Sequence, residues 1–258
     1  MAHATLEVVG NVGVITLNTP DNYNALGPQM SADLLQAIYD AVDDDAVRAL
    51  LITGAGKGFC SGAQMGEEIF ASGGDIGEIM RTTITPLITR LRTSDKPVVT
   101  AINGPAAGAG VGLALAGDIV IAGASALFLL SFVRLGATLD GATSAIIQRA
   151  IGPIRARGMA LLGEPLRAAE AEACGLVWKT VPDDALMDEA LRIATKLADG
   201  PPIAMAMIKR QLEDCWAMPL ADVLALEADN QVKAFVTADL REGAAAFVEK
   251  RPPRFEGH

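Results

Sequence analysis

The groups best placed to do chemistry in this sequence are backbone amides in a segment of small residues, 102–118. Its sequence, INGPAAGAGVGLALAGD, follows a β-branched run at 97–101 and predicts a turn into a buried helix. A strand that turns into a glycine- and alanine-rich helix leaves unpaired N–H groups beside open space, which suits an anion or an oxyanion. The alternative is a tightly packed helix in which glycine only permits close approach. The segment alone is compatible with both.

A second glycine-rich loop, GAGKGFCSGA at 54–63, follows a predicted buried strand at 49–53. A flexible linker is one interpretation. Phe59 and Cys60 interrupt the glycines and are expected to pack inward, which favours a structured, ligand-facing loop. The loop lacks the Gly-Lys-Ser/Thr triplet of a phosphate-binding P-loop.

The side chains available for acid–base or metal chemistry are few. The two histidines, His3 and His258, lie at the chain ends, which argues against Ser-His or Cys-His catalysis and against a metal site. Three scattered cysteines, Cys60, Cys174 and Cys215, argue against a disulfide framework or a zinc cluster. We therefore expect a carboxylate to act as the acid or base.

Composition limits the class of protein. The chain has 258 residues, of which 51% are apolar and 4% aromatic, so its core must be built from Ala, Leu, Val and Ile. A formal charge of −10 argues against nucleic acid as a general partner. No apolar run is long enough for a membrane span, and the first residues do not resemble a signal peptide, so we expect a soluble cytoplasmic protein.

The elements that must position the two loops alternate between strand and helix, which predicts an α/β fold with at least partly parallel strands. A hairpin is predicted to turn at Gly10-Asn11. Beyond residue 140 the predicted elements are mainly helices. The predicted strands are 4–9, 12–17, 49–53, 97–101, 119–122 and 176–180. The predicted helices are 28–45, 76–92, 140–151, 153–162, 168–174, 184–198, 202–215, 220–237 and 238–250.

Five segments carry a resemblance to the crotonase (enoyl-CoA hydratase/isomerase) superfamily. They are LITGAGKGFCSGAQM (51–65), KPVVTAINGPAAGAGVGLALAGDIVIA (96–122), FVRLGATLDGATSAIIQRAIG (132–152), GMALLGEPLRAAEAEACGLV (158–177) and LREGAAAFVEKRPPRFEG (240–257). Within that superfamily, the motifs AAGAG, ALAGDIVIA and MALLG most resemble those of the phenylacetate-pathway branch, whose members isomerise 2-(1,2-epoxy-1,2-dihydrophenyl)acetyl-CoA.

The resemblance implies a ββα spiral core over residues 1–195 and a C-terminal helical region, for trimerisation or as a lid, over 196–258. Members of the superfamily form trimers and pairs of trimers. The long apolar helices after residue 180 suit such an assembly, so we expect a homotrimer or a dimer of trimers.

The resemblance also assigns the catalytic groups. The backbone amides of Ala63 and Ala109 correspond to the two oxyanion donors, each typically worth about 3 kcal/mol in the transition state. Gly112 and Phe132 stand where hydratases of the superfamily carry glutamates, which argues against hydration as the native activity. Asp140 corresponds to a catalytic aspartate of isomerase and dehalogenase relatives. From its context alone, Asp140 is equally suited to capping a helix at 141–151.

One carboxylate is sufficient for a double-bond shift, because it can take a proton from one carbon and return it to another. We expect an apolar pocket to raise the pKa of Asp140 by disfavouring the charged form. The residues predicted to line this pocket are Leu129, Phe132, Leu135 and Leu139.

Coenzyme A is implied as part of the substrate, with no prosthetic group. The residues that the resemblance assigns to substrate binding are Asn22, Asn24, Ala25, Ser61, Gln64, Met65, Gly108, Phe132, Lys250 and Phe255. Lys57, Lys250, Arg251 and Arg254 are candidates for phosphate contacts, although a solvated basic face explains them equally well.

Three functions are compatible with these residues. The first is an acyl-CoA isomerase that uses Asp140, acting on an enoyl-CoA double bond or an epoxyphenylacetyl-CoA. The second is another crotonase-type reaction, such as hydration, thioester hydrolysis or dehalogenation. The third is a non-catalytic CoA-binding subunit. Leu139 and Gln64 depart from the isomerase branch, which predicts a reshaped acyl pocket.

Overall fold

The chain forms a mixture of strands and helices, as the sequence predicts, in a computed structural model that describes residues 2–64 and 76–258. The strands are β1 (Ala4–Val9), β2 (Val12–Leu17), β3 (Ala49–Gly54), β4 (Val98–Ile102), β5 (Pro105–Ala107), β6 (Ile119–Gly123), β7 (Leu127–Leu129), β8 (Leu166–Arg167) and β9 (Lys179–Val181). The α-helices are α1 (Pro28–Asp43), α2 (Ile76–Thr82), α3 (Ile84–Thr93), α4 (Ala109–Leu115), α5 (Thr143–Leu162), α6 (Ala168–Ala173), α7 (Leu186–Ala198), α8 (Pro202–Asp214), α9 (Leu220–Phe235) and α10 (Ala238–Glu249).

The larger sheet contains six strands in the order β1-β2-β3-β4-β6-β9. β1 and β2 form the predicted antiparallel hairpin, with Ala4 opposite Leu17. The remaining neighbours are parallel. Parallel strands present their carboxyl ends at one edge of the sheet, so the loops that follow β3 and β4 leave it side by side. A smaller sheet, β5-β7-β8, continues from the second of these loops.

Helices cover both faces of the larger sheet, which explains its uniformly apolar strands. Every residue of β3 is buried. Leu50 and Ile52 of β3 belong to the core that also contains buried residues of α1 and α3. Ala49 and Leu51, on the opposite face, pack in a second core with α7. This alternation is the two-residue period expected of a strand buried on both sides.

The helix predicted at 76–92 is wrong in one respect, because the structure divides it into α2 and α3 at Thr83. The hydroxyl of Thr83 donates to the carbonyl of Ile79 at 2.6 Å, and that of Thr82 donates to Glu78 at 2.9 Å. Such local bonds from threonine compete with helical backbone bonds and bend or end a helix.

The glycine- and alanine-rich segment also differs from its prediction. It does not turn directly into a helix, since Pro105–Ala107 first forms β5, parallel to β7 with Ala106 opposite Phe128. Helix α4 then spans only Ala109–Leu115, and all seven of its residues are buried. The extra strand delays the start of the helix to Ala109.

The C-terminal helices α8 and α9 contain no buried residue in the single chain. Their apolar side chains instead face outward, and those more than half exposed are Ile208, Leu212, Leu220, Leu224, Val232 and Phe235. Over residues 2–64 and 76–258, none of the helices combines the length and apolar character needed to cross a membrane.

Lys209 attaches α8 to the sheet. Its ammonium group donates to the carbonyl oxygens of Leu91 at 2.9 Å and Lys96 at 3.3 Å, and it pairs with Asp118 at 2.9 Å. The side chain is 11% exposed, and burial lowers the pKa of Lys209, although Asp118 opposes that shift. The charge is therefore held by three oxygens, one from α3 and two from the residues that precede β4 and β6.

Replacing Lys209 by methionine removes a buried cation and leaves the Asp118 carboxylate without its ion-pair partner. We expect Lys209→Met to reduce the free energy of unfolding by about 3 kcal/mol, as for other broken buried pairs. Lys196→Met, on the exposed side of α7, is the matched control and is expected to stay within about 0.5 kcal/mol of the wild type. Urea denaturation measures both, and equal effects of the two substitutions would contradict this role for Lys209.

Candidate active site

The loop after β3 is held in place by the buried side chain of Asn24. Its amide nitrogen donates to the carbonyls of Ala55 at 3.0 Å, Gly58 at 2.9 Å and Phe59 at 3.2 Å. Its amide oxygen accepts the N–H of Thr19 at 2.9 Å. Asn24 is fully buried, and its contact with substrate stays a prediction. Its role in the structure is to shape the loop.

The loops after β3 and β4 are joined backbone to backbone. The N–H of Ala107 donates to the carbonyl of Cys60 at 2.9 Å, and Cys60 pairs with Ala106 as an isolated parallel bridge. A Cβ built on Gly62 would lie 2.6 Å from the carbonyl oxygen of Ala107 and 3.2 Å from the nitrogen of Ala109. Only glycine fits this approach, which brings residue 63 next to Ala109.

Two amides at this junction are free to bind an acceptor. The backbone of Leu26 bonds to the residues on either side of Ala63: its N–H donates to the carbonyl of Gly62 at 2.7 Å, and its carbonyl accepts from the N–H of Gln64 at 3.1 Å. The N–H of Ala63 itself takes no part in this pairing. Ala109 is the first residue of α4, so its N–H has no acceptor within the helix. Within residues 2–64 and 76–258, neither amide donates to a protein atom. The two therefore form a candidate oxyanion hole built from main chain.

The Cys60 side chain is a core residue, as expected, and not a nucleophile. It is completely buried between the loops, and this burial raises the pKa of its thiol to about 12. A thiol of that pKa is almost entirely protonated at neutral pH and is a poor nucleophile.

Asp140 lies just before α5 but does not cap it. Gly141 and Ala142 both have left-handed backbone angles, with φ of 57° and 61°. Helix α5 begins at Thr143, whose N–H and hydroxyl both donate to the backbone carbonyl of Asp140, at 3.1 Å and 2.7 Å. No side chain accepts from the first turn of α5 in the described structure. The helix predicted to begin at 140 is thus wrong at its start, and the carboxylate of Asp140 is left for another use.

The carboxylate of Asp140 is held in a desolvated position. Its Oδ1 atom is buried and has no hydrogen-bond partner within the described residues. Burial raises the pKa of Asp140 to about 6, as the sequence predicts. Of the expected pocket residues, Phe132 is buried and Leu139 packs against the core, whereas Leu135 is 62% exposed.

Asp140 is close to the candidate oxyanion hole. A Cβ built on the adjacent Gly141 would lie 3.3 Å from the Cα of Gly112, 3.6 Å from the carbonyl oxygen of Ala109 and 3.8 Å from its Cα. Gly62 contacts the same residue, Ala109, from the other loop. Ala109 therefore lies between the residue after which Ala63 follows, Gly62, and the residue that follows Asp140, Gly141, so three separate parts of the chain meet here.

Ser131 borders the candidate oxyanion hole and was not identified from the sequence. A Cβ built on Gly108 would lie 3.6 Å from the hydroxyl oxygen of Ser131 and 3.9 Å from the ring of Phe132. Only the strand pairing identifies it, because β7 runs parallel to β5 and the N–H of Gly108 donates to the carbonyl of Leu129 at 2.9 Å. Residues that follow these two strands must therefore meet at one edge.

Several residues assigned to coenzyme A binding lie together. The hydroxyl of Ser61 donates to the carbonyl of Asn22 at 3.0 Å, and the N–H of Ala25 donates to the Asn22 side chain at 3.2 Å. Gln64, two residues beyond Gly62, places its side chain against Gly27. Met65 lies outside the described residues. The loop at 54–63, which we call the oxyanion loop, therefore has four of these residues within it or next to it: Asn22, Ala25, Ser61 and Gln64.

The structure does not bring Lys250 or Phe255 to this group within one chain. The carbonyl of Phe255 accepts from Arg48 at 2.8 Å, next to the first residue of β3, whereas the oxyanion loop leaves the other end of that strand. Lys250 follows α10 directly, and the guanidinium of the next residue, Arg251, pairs with Glu242 at 2.6 Å. Arg251 is therefore engaged in an ion pair, and the predicted phosphate contacts at this terminus are not explained by the single chain.

Comparison with known proteins identifies the family of the chain. The model of the family described as enoyl-CoA hydratase/isomerase matches residues 7–258. The chain belongs to the enoyl-CoA hydratase/isomerase family. Its crotonase-type fold is similar to that of a Mycobacterium abscessus protein assigned to the same family, with a TM-score of 0.94 at 38% identity, covering 99% of this chain and 100% of that one.

Relatives of this family member differ in their assigned reactions. The 1,2-epoxyphenylacetyl-CoA isomerase of Escherichia coli (strain K12) is 40% identical over 249 residues, 95% of each chain. A protein of Rhodobacter capsulatus assigned as an enoyl-CoA hydratase is also 40% identical, over 97% of this chain and 96% of its own. Enzymes of the family act on coenzyme A thioesters without a prosthetic group. Sequence identity to these relatives therefore indicates the substrate class, but it does not decide between an isomerase and a hydratase.

Loss of the Asn24 amide is expected to disorder the oxyanion loop. Asn24→Gly keeps the left-handed backbone, where φ is 57°, and removes only the side-chain bonds. We expect the free energy of unfolding to fall by about 3 kcal/mol, because several buried carbonyls lose their donor. The control Asn22→Gly, at an exposed neighbouring position, should cost no more than about 1 kcal/mol. Thermal or urea unfolding of both variants measures the difference.

The buried carboxylate of Asp140 should reduce stability at neutral pH. Its pKa in the folded protein, about 6, lies above the ordinary value of 3.8, so the folded state binds the proton more tightly than the unfolded state. The loss of folding free energy caused by burying the charged carboxylate is absent below pH 3.8, grows as the pH rises to 6 and is complete above pH 6. We therefore expect the melting temperature of Asp140→Asn, relative to wild type, to rise between pH 4 and pH 7. A difference that is constant with pH would contradict the raised pKa.

Proposed function

We propose that this enzyme is an acyl-CoA isomerase in which Asp140 carries the proton and the amides of Ala63 and Ala109 bind the thioester oxygen. The observation that supports it best is the position of Asp140. Within the described residues no atom donates to the buried Oδ1 of Asp140, burial raises its pKa to about 6, and the next residue, Gly141, packs against Ala109, which carries one of the free amides. A carboxylate with a pKa near neutrality can both accept and return a proton.

The double-bond shift follows from these groups. Asp140 removes a proton from one carbon of the acyl chain, and the electron pair moves into the thioester carbonyl to form an enolate. The N–H groups of Ala63 and Ala109 bind the enolate oxygen, each typically contributing about 3 kcal/mol as the negative charge develops. The protonated Asp140 then returns the proton two carbons away, and the carbonyl reforms. Nothing else is consumed, so the enzyme ends in its starting state.

Hydration is less well supported by the residues at this site. By the family resemblance, Gly112 and Phe132 occupy the positions of the two hydratase glutamates, and neither side chain can activate water or move a proton. The observation in favour of a hydratase is the 40% identical relative from Rhodobacter capsulatus. Thioester hydrolysis, dehalogenation and a non-catalytic CoA-binding role remain the other candidates.

The acyl group is proposed to be an enoyl chain or an epoxyphenylacetyl group. The second follows from the Escherichia coli relative, whose substrate is 1,2-epoxyphenylacetyl-CoA. Gly108 is bordered by Ser131 and Phe132, so the side of the pocket next to the oxyanion hole combines a hydroxyl with an aromatic ring. Gln64 and Leu139 differ from the isomerase branch and would alter the rest of the pocket.

We also propose how the enzyme holds the rest of its substrate and how it assembles. Coenzyme A is expected to lie along Asn22, Ala25, Ser61 and Gln64, which surround the outer side of the oxyanion loop. The outward apolar side chains of α8 and α9 support a homotrimer or a dimer of trimers. In such an assembly Lys250 and Phe255 could reach a neighbouring subunit's site. The cytoplasmic location also stays a prediction.

The reaction is tested by giving the enzyme 3-enoyl-CoA, 2-enoyl-CoA and epoxyphenylacetyl-CoA separately and identifying products by NMR and mass spectrometry. Isomerisation conserves mass, so an isomerase changes the NMR spectrum of the acyl chain without a mass shift. A gain of one water across the double bond of 2-enoyl-CoA as the dominant reaction would reverse the proposal in favour of a hydratase. Release of free coenzyme A would indicate hydrolysis.

The role of Asp140 is tested by Asp140→Asn together with the pH profile. We expect kcat to fall about 1000-fold, the scale of a lost general base. In the wild type, kcat/KM should rise with pH through about 6, because only the ionised carboxylate accepts the proton. Asp184→Asn, at an exposed position, is the matched control and should leave both quantities unchanged. Full activity in Asp140→Asn would remove the aspartate from the mechanism.

A further inference from the structure

Gly108 leaves a gap beside the candidate oxyanion hole, at the place where another residue would put its side chain. Its backbone angles, φ 52° and ψ −127°, favour glycine, and it directly precedes Ala109. A Cβ on Gly108 would lie 3.6 Å from the hydroxyl oxygen of Ser131 and 3.9 Å from two ring carbons of Phe132. The gap is therefore bordered by a hydroxyl group and an aromatic ring.

The polar groups around this gap are partly occupied and partly free. The N–H of Gly108 donates to the carbonyl of Leu129 at 2.9 Å, and the carbonyl of Gly108 accepts from the N–H of Val111 at 3.0 Å. Across the described parts of the chain, the N–H of Ala109 donates to no atom and the hydroxyl of Ser131 makes no hydrogen bond. Two unused donors, one from the main chain and one from a side chain, thus lie next to the same glycine.

The two donors are close enough to bind one acyl group. The Cβ position of residue 108 is three bonds from the nitrogen of Ala109, a separation of about 3 Å. The hydroxyl oxygen of Ser131 therefore lies within about 7 Å of that nitrogen. Each hydrogen bond spans about 3 Å. An acyl group whose thioester oxygen is bound by Ala109 can therefore reach Ser131 with a second oxygen a few bonds further along.

We propose that Ser131 is a specificity-determining residue whose hydroxyl donates a hydrogen bond to an oxygen on the acyl group. The enzyme then prefers aryl acyl-CoA esters with an oxygen on the ring over plain enoyl-CoA esters. This inference rests on the proposed isomerase function, from whose two substrates it selects epoxyphenylacetyl-CoA. The epoxide oxygen of that substrate joins ring carbons 1 and 2, next to the acetyl group. An unsubstituted enoyl chain has no oxygen there and leaves the hydroxyl unpaired.

The size of the preference follows from the surroundings of Ser131. The residue is partly buried, between Leu130, which is 1% exposed, and Phe132, which is 8% exposed. A hydroxyl that loses water when an apolar acyl group binds is left without a partner, whereas an acyl oxygen restores its hydrogen bond. A neutral hydrogen bond at a partly buried site is worth a factor of about ten in binding. The ring of Phe132 adds an apolar surface suited to an aryl group.

The test compares Ser131→Ala with Ser125→Ala. Ser125 lies two residues before β7, is exposed and has a hydroxyl without a hydrogen bond to any described residue, so it controls for the loss of a hydroxyl. We expect Ser131→Ala to lower kcat/KM about tenfold for epoxyphenylacetyl-CoA and to keep it within about twofold of wild type for 3-hexenoyl-CoA. Ser125→Ala should change neither. An equal loss with both substrates, or no loss with either, would overturn the inference.

Binding of two unreactive esters separates this inference from the proposed function. Phenylacetyl-CoA and 2-hydroxyphenylacetyl-CoA carry no epoxide and no isolated double bond, and they differ only by an oxygen on ring carbon 2. In isothermal titration calorimetry, the wild type should bind the hydroxylated ester about tenfold more tightly, and Ser131→Ala should lose that preference. If the wild type converts neither CoA substrate, the proposed function fails, and this comparison alone decides the role of Ser131. Equal dissociation constants of the two esters in the wild type would overturn the inference.

Discussion

The contact between two main-chain segments, one around Gly62 and the other around Ala109, is the constraint on which the rest of the site depends. Main-chain donors can bind a thioester oxygen only if the two strands that precede them end at the same edge and approach within van der Waals distance. The parallel pairing of β3 with β4 meets the first condition, and the bond between Ala107 and Cys60 meets the second. Large side chains at this junction would separate the loops, which accounts for its glycine and alanine content.

Much of this arrangement follows from sequence. The hairpin, the buried parallel strands and the two glycine-rich loops are visible as alternating apolar runs and glycine positions, and the family resemblance supplies the register of Ala63, Ala109 and Asp140. The break at Thr83 was not predicted, because the apolar period continues across it while threonine hydroxyls bond backward to the helix. Strand β5 was missed for a related reason, since three residues carry too little pattern to separate a strand from a helical turn.

Other features of the site depend on contacts between distant parts of the chain. The burial of Asn24 and its four hydrogen bonds are created by the loop that folds over it, which its local sequence does not indicate. Asp140 has the sequence context of a helix cap, and only the left-handed pair Gly141 and Ala142 removes its side chain from that role. Ser131 becomes a neighbour of Gly108 through sheet pairing, which no local pattern reveals.

The completely buried Cys60 gives the protein an internal reporter of loop separation. Its sulfur lies at the junction of the two loops and carries a thiol pKa of about 12, whereas Cys174 and Cys215 are only partly buried. A thiol-specific alkylating reagent should therefore modify Cys60 last, and only in molecules whose loops have come apart. The rate of that modification measures how often the junction of the two loops opens in solution, with no substrate and no added label.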